Sequence, residues 1–133
     1  MLIGCSAQSG AFTQEIIELM ASHCNRPVIF PLSNPDEKCE ARPLDLWNWT
    51  DGKALIATGT RFEPIHSNDK LIEIAQCNNA LIFLFFFLGI LAIEASRLTN
   101  NMIWEASKAL GHCSPIHVNP HASLLPSLKN AQD

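Results

Sequence analysis

Short apolar runs alternate with amphipathic segments along this chain. Leu2-Ile3-Gly4-Cys5 runs into small and polar residues from Ser6 to Gly10, which predicts a buried strand opening into a loop. Thr13 then precedes Ile16, Ile17, Met20 and Ala21, apolar positions at helical spacing. Thr13 can cap that helix, and Glu15 near its start and His23 near its end suit the helix dipole. Asn25-Arg26-Pro27 stops it, and Val28-Ile29-Phe30 predicts a second strand that ends at Ser33-Asn34-Pro35. Pro43 suits the first turn of a short helix over 44–49. Asp51-Gly52 turns the chain into Ala54-Leu55-Ile56-Ala57-Thr58, a third buried strand closed by Gly59. An irregular stretch containing Pro64 and Asn68-Asp69 continues to Asn78-Asn79. There an apolar helix begins, and Thr99 is the expected cap of a last helix through Leu110. Beyond Gly111, Pro115, Pro120 and Pro126 predict a poorly ordered tail over 112–133.

Strand, helix, strand, helix, strand with short connections implies an α/β fold, a parallel sheet flanked by helices with right-handed crossovers. Such sheets bind ligands beyond the carboxyl ends of their strands. Ser6, Asn34 and Thr58 all fall at such ends, which places a candidate site there.

Composition narrows the picture. At 133 residues, with 47% hydrophobic and 17% charged side chains, the chain is expected to be one globular domain. Its net charge of -4 comes with no basic cluster, which argues against nucleic-acid binding through phosphate neutralisation. Met1-Leu2-Ile3-Gly4-Cys5 shows no secretory-signal pattern, and the five cysteines are odd in number without a Cys-x-x-Cys pair. Reduced thiols and a cytoplasmic location are the expectation. Residues 80–93 have no charged side chain, yet the run is shorter than the roughly 17 to 20 residues of a membrane span. Asn78-Asn79 and Glu94 bound it, so a buried core helix is expected and membrane association is not.

Two motifs carry candidate chemistry. Asn34 leaves a strand end, and its side chain offers two donors and one acceptor, enough for a carboxylate and a ribose hydroxyl. Alone, Asn34-Pro35 reads as an ordinary turn. Asn78-Asn79 precedes a helix whose N-terminus favours anions, but alone it reads as an ordinary helix cap.

Together and in order these motifs resemble the malic enzymes. That family carries Leu-Ser-Asn-Pro at a strand end, then a Trp/Leu-Thr-Asp/Glu-Gly turn, a strand ending Ala-Thr/Ser-Gly, and Gln-x-Asn-Asn-x-x-Ile-Phe. Here stand Leu32-Ser33-Asn34-Pro35, Trp49-Thr50-Asp51-Gly52, Ala57-Thr58-Gly59 and Gln76-Cys77-Asn78-Asn79-Ala80-Leu81-Ile82-Phe83. The opening Leu2-Ile3-Gly4-Cys5-Ser6-Ala7-Gln8 is similar to the family's Leu-Ile-Gly-Val-Ser-Gly-Gln loop. The resemblance covers about residues 2–110 and points to the bacterial NAD-type branch.

The resemblance implies the second half of a Rossmann-like dinucleotide-binding domain, and oxidative decarboxylation of malate to pyruvate and carbon dioxide. It implies NAD as cofactor, with NADP open, and Mg²⁺ or Mn²⁺ in the family. It implies that Asn34, Asn78 and Asn79 bind malate, and that Cys5, Ser6, Asn34 and Asn78 line the cofactor pocket. Family members form homo-oligomers. No catalytic residue and no metal ligand carries over. The family uses a Tyr acid, and this chain has no Tyr. The Lys base, the metal carboxylates and the Gly-x-Gly-x-x-Gly turn are not found either. The chain alone is therefore expected to be inactive, a fragment that is either a decayed remnant or one piece of a split enzyme completed by an upstream polypeptide.

Within the matched region, Phe83-Leu84-Phe85-Phe86-Phe87-Leu88-Gly89 replaces a Pro- and Gly-rich family run, and Glu94 stands where the family has a small residue. The alternative from another class is a non-catalytic interaction protein that uses its sheet edge and apolar helix against a partner or membrane surface. His112, Cys113, His117 and His121 match no standard zinc spacing. Cys77 lacks an identifiable base, and Trp47 and Trp49 read as packing residues.

Overall fold

The three expected strands are β1 (Leu2–Gly4), β2 (Val28–Pro31) and β3 (Leu55–Thr58). They are seen in a computed structural model that describes residues 1–67, 70–119 and 122–127, without the side chains of Leu84 and Phe85. Asn68 and Asp69 of the irregular stretch, and Pro120 and His121 of the tail, lie outside the described residues.

The strands pair in parallel and in sequence order, Leu2 opposite Ile29 and Ile29 opposite Ile56. Helix α1 (Gln14–His23) connects β1 to β2, and α2 (Pro43–Trp49) connects β2 to β3. Because the strand order steps one way, right-handed crossovers put both helices on the same face, where they touch. In-register residues point to the same side. Leu2, Ile29 and Ile56 thus meet Phe12, Ile17 and Leu46 in one core. On the other face Ile3 stays 49% exposed, and Val28, Phe30 and Leu55 are half-buried.

Local chemistry explains the element ends. Thr13 caps α1, its hydroxyl accepting from the Ile16 amide at 3.5 Å. Of the expected apolar stripe, Ile17 is fully buried and Met20 and Ala21 partly so, while Ile16 is nearly half exposed. Pro43 occupies the first turn of α2. The Thr50 hydroxyl donates to the Leu46 carbonyl at 2.8 Å and accepts from the Ala54 amide at 3.2 Å, joining the end of α2 to the start of β3. Between them Gly52 has φ +71°, and a Cβ there would sit 2.8 Å from the Trp47 ring. Both facts require glycine.

The stretch between Gly59 and Asn78 is more ordered than its pattern predicts. Strands β4 (Ile65–Ser67) and β5 (Lys70–Ile72) pair antiparallel. Strand β6 (Ala75–Gln76) then adds to β3 in parallel, Thr58 opposite Gln76, so the sheet has four strands rather than three. Elements of two or three residues are too short to leave a period in the sequence.

Helices α3 (Ala80–Ala92) and α4 (Asn100–His112) follow, the latter capped by Thr99 accepting from the Met102 amide at 3.3 Å. The expectation that the apolar run is buried is not met. Among its described side chains only Leu81 is buried, and Phe83, Leu88, Leu91 and Ile93 are more than half exposed. Among the described residues the helix packs against α4, and a helix apolar all round needs neighbours on every side to be buried. Among the described residues, no helix is long and apolar enough to cross a membrane. In the described part of the tail, Pro115–His117 forms a 3-10 turn, and the buried Ser114 donates to the Leu124 carbonyl at 2.5 Å.

Candidate cofactor and substrate site

The carboxyl ends of β1 and β2 are tied together by one buried carboxylate. After β2 the chain passes Asn34, whose peptide bond to Pro35 is cis, and a 3-10 turn at Asp36–Lys38. It then delivers Glu40 beneath both strand ends, with no solvent exposure. Glu40 Oε1 accepts from the Ser6 amide at 2.9 Å, the Ser6 hydroxyl at 3.2 Å and the Ser33 hydroxyl at 2.5 Å. Its Oε2 accepts from the Ser33 amide at 3.4 Å. The Ser33 hydroxyl in turn accepts from the Ala7 amide at 2.9 Å. Burial pushes the Glu40 carboxyl up, but the donors, led by the Ser33 hydroxyl, outweigh it and hold the group below the ordinary carboxylate range. A Cβ on Gly4 would lie 2.5 Å from the Glu40 carboxyl carbon, so glycine at the end of β1 makes room for the knot.

The end of β3 fits against β2 just as closely. A Cβ on Gly59 would lie 2.1 Å from the Leu32 carbonyl oxygen, so only glycine lets the two segments approach. The Gly59 amide donates to the Pro31 carbonyl at 3.3 Å. Thr58 is fully buried, and its carbonyl accepts from the Cys77 amide at 2.8 Å, which fastens the end of β6 alongside.

All five residues expected at the site therefore lie along one edge of the sheet. Cys5 and Ser6 follow β1, Asn34 follows β2, and Asn78 and Asn79 follow β6; all five are exposed. Three strand spacings separate β1 from β6, about 14 Å at the usual separation. The Cys77 thiol is pushed up by burial and then, to a smaller extent, by Cys5 across this edge. The two asparagines before α3 are not equivalent. Asn78 Oδ1 accepts from the Ala80 amide at 2.9 Å and so starts the helix, which leaves its amide nitrogen as the group able to donate to an anion. Asn79 makes no side-chain cap bond.

Sequence reasoning missed Glu40, Ser33 and Ala7. Glu40 differs from the exposed Glu37 in no way that composition or spacing reveals, though the buried Cys39 and Ala41 beside it are a faint signal. Ala7 has φ +54°, in the left-handed region where a side chain is strained. The resembling family has Gly at that place in the loop. Among the described residues, no three His, Cys, Asp or Glu gather in a way that could hold a metal ion. Cys39, buried, is pushed up by desolvation, and its Sγ donates to the Ala41 carbonyl at 3.1 Å.

An open parallel α/β sheet with exposed amides and hydroxyls at its carboxyl edge is an arrangement that domains of the nucleotide-binding class use. The family described as malic enzyme, NAD binding domain, matches residues 1–133. The chain belongs to that family. It is 51% identical over 132 residues to the NAD-dependent malic enzyme of Pectobacterium atrosepticum, covering 99% of this chain and 23% of that protein. It is 49% identical over 133 residues to that of Acinetobacter baylyi, covering 100% and 24%. The match to the Shewanella halifaxensis enzyme is 51% over 130 residues, 98% and 23%. The chain thus spans about a quarter of the length of the curated relatives it matches.

Proposed function

We propose that this chain forms the cofactor- and malate-facing edge of an NAD-dependent malic enzyme, in which malate is oxidised and decarboxylated to pyruvate and carbon dioxide. The observation that carries the reading is the gathering of Ser6, Asn34 and Asn78, all exposed, at one carboxyl edge. In this reading the Asn34 carboxamide donates to a malate carboxylate and accepts from a ribose hydroxyl. Asn78 and Asn79 donate to the second carboxylate, aided by the positive end of α3. The backbone of Cys5 and Ser6 forms the floor under the cofactor, and bound NAD supplies the hydride acceptor. These residues bind and orient, and none of them moves a proton.

The residues present fit the nicotinamide and ribose end of such a cofactor. No Gly-x-Gly-x-x-Gly turn lies in this chain, so the diphosphate is assigned to no residue here. The same holds for Mg²⁺ or Mn²⁺, because no oxygen cluster for a hard cation forms among the described residues. A Tyr acid, a Lys base, the metal carboxylates and the phosphate turn belong in this reading to another polypeptide segment. The assembly is a cytoplasmic homo-oligomer, and the chain alone is inactive.

Saturation-transfer NMR with NAD tests this on the full chain, alone and mixed with a polypeptide carrying those missing groups. Transfer to the nicotinamide protons is expected, reduced by Asn34→Ala and Asn78→Ala. Malate-dependent NADH formation is expected only in the mixture. No transfer in either sample would remove the proposal.

One observation favours a second reading, a non-catalytic interaction protein: the exposed Phe83, Phe87, Leu88 and Leu91 on α3. Co-sedimentation with lipid vesicles or a stable partner, together with no cofactor contact, would select it.

A further inference from the structure

We propose that Glu40 is the positioning residue of this edge, the single group that sets the loops after β1 and β2 in the arrangement that places Ser6 and Asn34 for ligand. This rests on the reading of that edge as the cofactor and malate surface.

The argument is geometric. A carboxylate removed from water costs several kcal/mol unless its oxygens are fully engaged. Glu40 has no exposure, and the partners the structure shows for it are neutral donors: two amides and two hydroxyls from two loops. Charge-assisted bonds of this kind are about twice as strong as neutral ones. They cross-link positions far apart in the chain, Glu40 to Ser6 over 34 residues and to Ser33 over 7. The link extends one step further, because the Ser33 hydroxyl that donates to Glu40 also accepts from the Ala7 amide. Ala7 is the strained residue of the β1 loop, and a strained backbone persists only where its surroundings over-determine it. Ser33 is the neighbour of Asn34, and Ser6 is itself one of the residues assigned to cofactor. Gly4 belongs to the same device, since any side chain there would displace the carboxylate. Glu40 reaches the ligand surface only through Ser6 and Ser33, so its action is indirect.

Amide hydrogen exchange and NAD titration by NMR on the full chain test this with Glu40→Gln and Ser33→Ala. Gln keeps the size but replaces one acceptor with a donor that faces other donors. In ligand-free E40Q the Ser6 and Ala7 amides should exchange about tenfold faster, the scale of one lost charge-assisted hydrogen bond, while the Ile29 amide stays protected. The NAD dissociation constant should rise by a similar factor. Glu40→Asp, which retains the charge, should restore part of both. If E40Q fails to fold, S33A carries the test, with Ser6 exchange as the readout, because the Ser6 amide bonds Glu40 and S33A removes only a neighbouring donor to that carboxylate. Unchanged Ser6 and Ala7 exchange in these variants overturns the inference, and so do loosened loops with unchanged NAD affinity. A wild-type chain that shows no NAD contact instead removes the functional reading, and the exchange data still decide what Glu40 does to the loops.

Discussion

Two parts of this molecule carry many apolar side chains and use them in opposite ways. In residues 2–59 the apolar positions alternate with polar ones, and Ile17, Ile29 and Leu46 are fully buried. In α3 they form an unbroken run, and Phe83, Phe87, Leu88 and Leu91 remain 44–70% exposed. The first part has a sheet and two helices to pack between, so each apolar side chain has a layer to meet. The second has two helices lying against each other along a groove of about 630 Å³ lined by Leu81, Ile90, Met102 and Ala106. Burial follows from the number of layers, not from hydrophobicity. For the same reason Cys5, Ser6 and Asn34 of the candidate site lie on the first part, and Asn78 and Asn79 join it through β6. A binding edge has to be held in place, and residues 2–59 and β6 supply packing and cross-links that hold it.

The largest predicted effect challenges that contrast directly. Leu46→Ala should lower unfolding free energy by about 2–5 kcal/mol, because a fully buried side chain leaves a cavity. Urea denaturation followed by circular dichroism measures it. A loss under about 1 kcal/mol would mean the core between the sheet and α2 is looser than its burial indicates.

Glu40→Gln should cost about 1–3 kcal/mol at pH 7, the range for leaving buried donors without their acceptor. Its pH dependence has a definite sign. The folded carboxyl is held below its ordinary value, so its stabilisation is complete above the unfolded pKa of about 4.3 and is lost as pH falls through the lowered folded value. The gap between wild type and E40Q should therefore be widest near neutrality and narrow in acid. A gap constant between pH 7 and pH 3 would show that the carboxylate's charge contributes nothing.

A smaller gain should come from Ala7→Gly. With φ +54°, Ala7 bears a left-handed penalty of roughly 1–2 kcal/mol that glycine lacks, partly offset by the greater freedom of glycine in the unfolded chain. A net stabilisation of about 0.5–1 kcal/mol is expected by thermal melting. A loss instead would mean that the knot gains from a stiff residue at this point.

How far the sequence carried depends on what each feature leaves in the pattern. The strands around Ile3, Ile29 and Ile56, the Thr13 and Thr99 caps and the Asp51-Gly52 turn each have a local physical signature, and all are present. Strands β4 to β6 have none, being two or three residues long, and β6 becomes a strand only because β3 offers it an edge. The ordered motifs around Asn34 and Asn78 carried the family, and the parallel sheet places both asparagines on one edge. Glu40 was not legible for a different reason. Its role lies in its distance to Ser6, 34 residues away, and no pattern along the chain encodes that distance.

The smallest effect is predicted on α3, where Leu91 is 70% exposed. Leu91→Lys removes little packing in the monomer, so unfolding free energy should stay within about 0.5 kcal/mol of wild type. What should change is association. An apolar helix face open to water is a surface for self-contact, and one lysine on it makes that contact costly. Analytical ultracentrifugation at rising concentration should therefore show less oligomer for the variant, with its melting temperature unmoved. If the melting temperature instead falls by several degrees and shifts with protein concentration, α3 is part of the folded unit through contacts between copies. The contrast between the two parts of the molecule would then describe the single chain alone, and the second part would find its missing layer in a second copy.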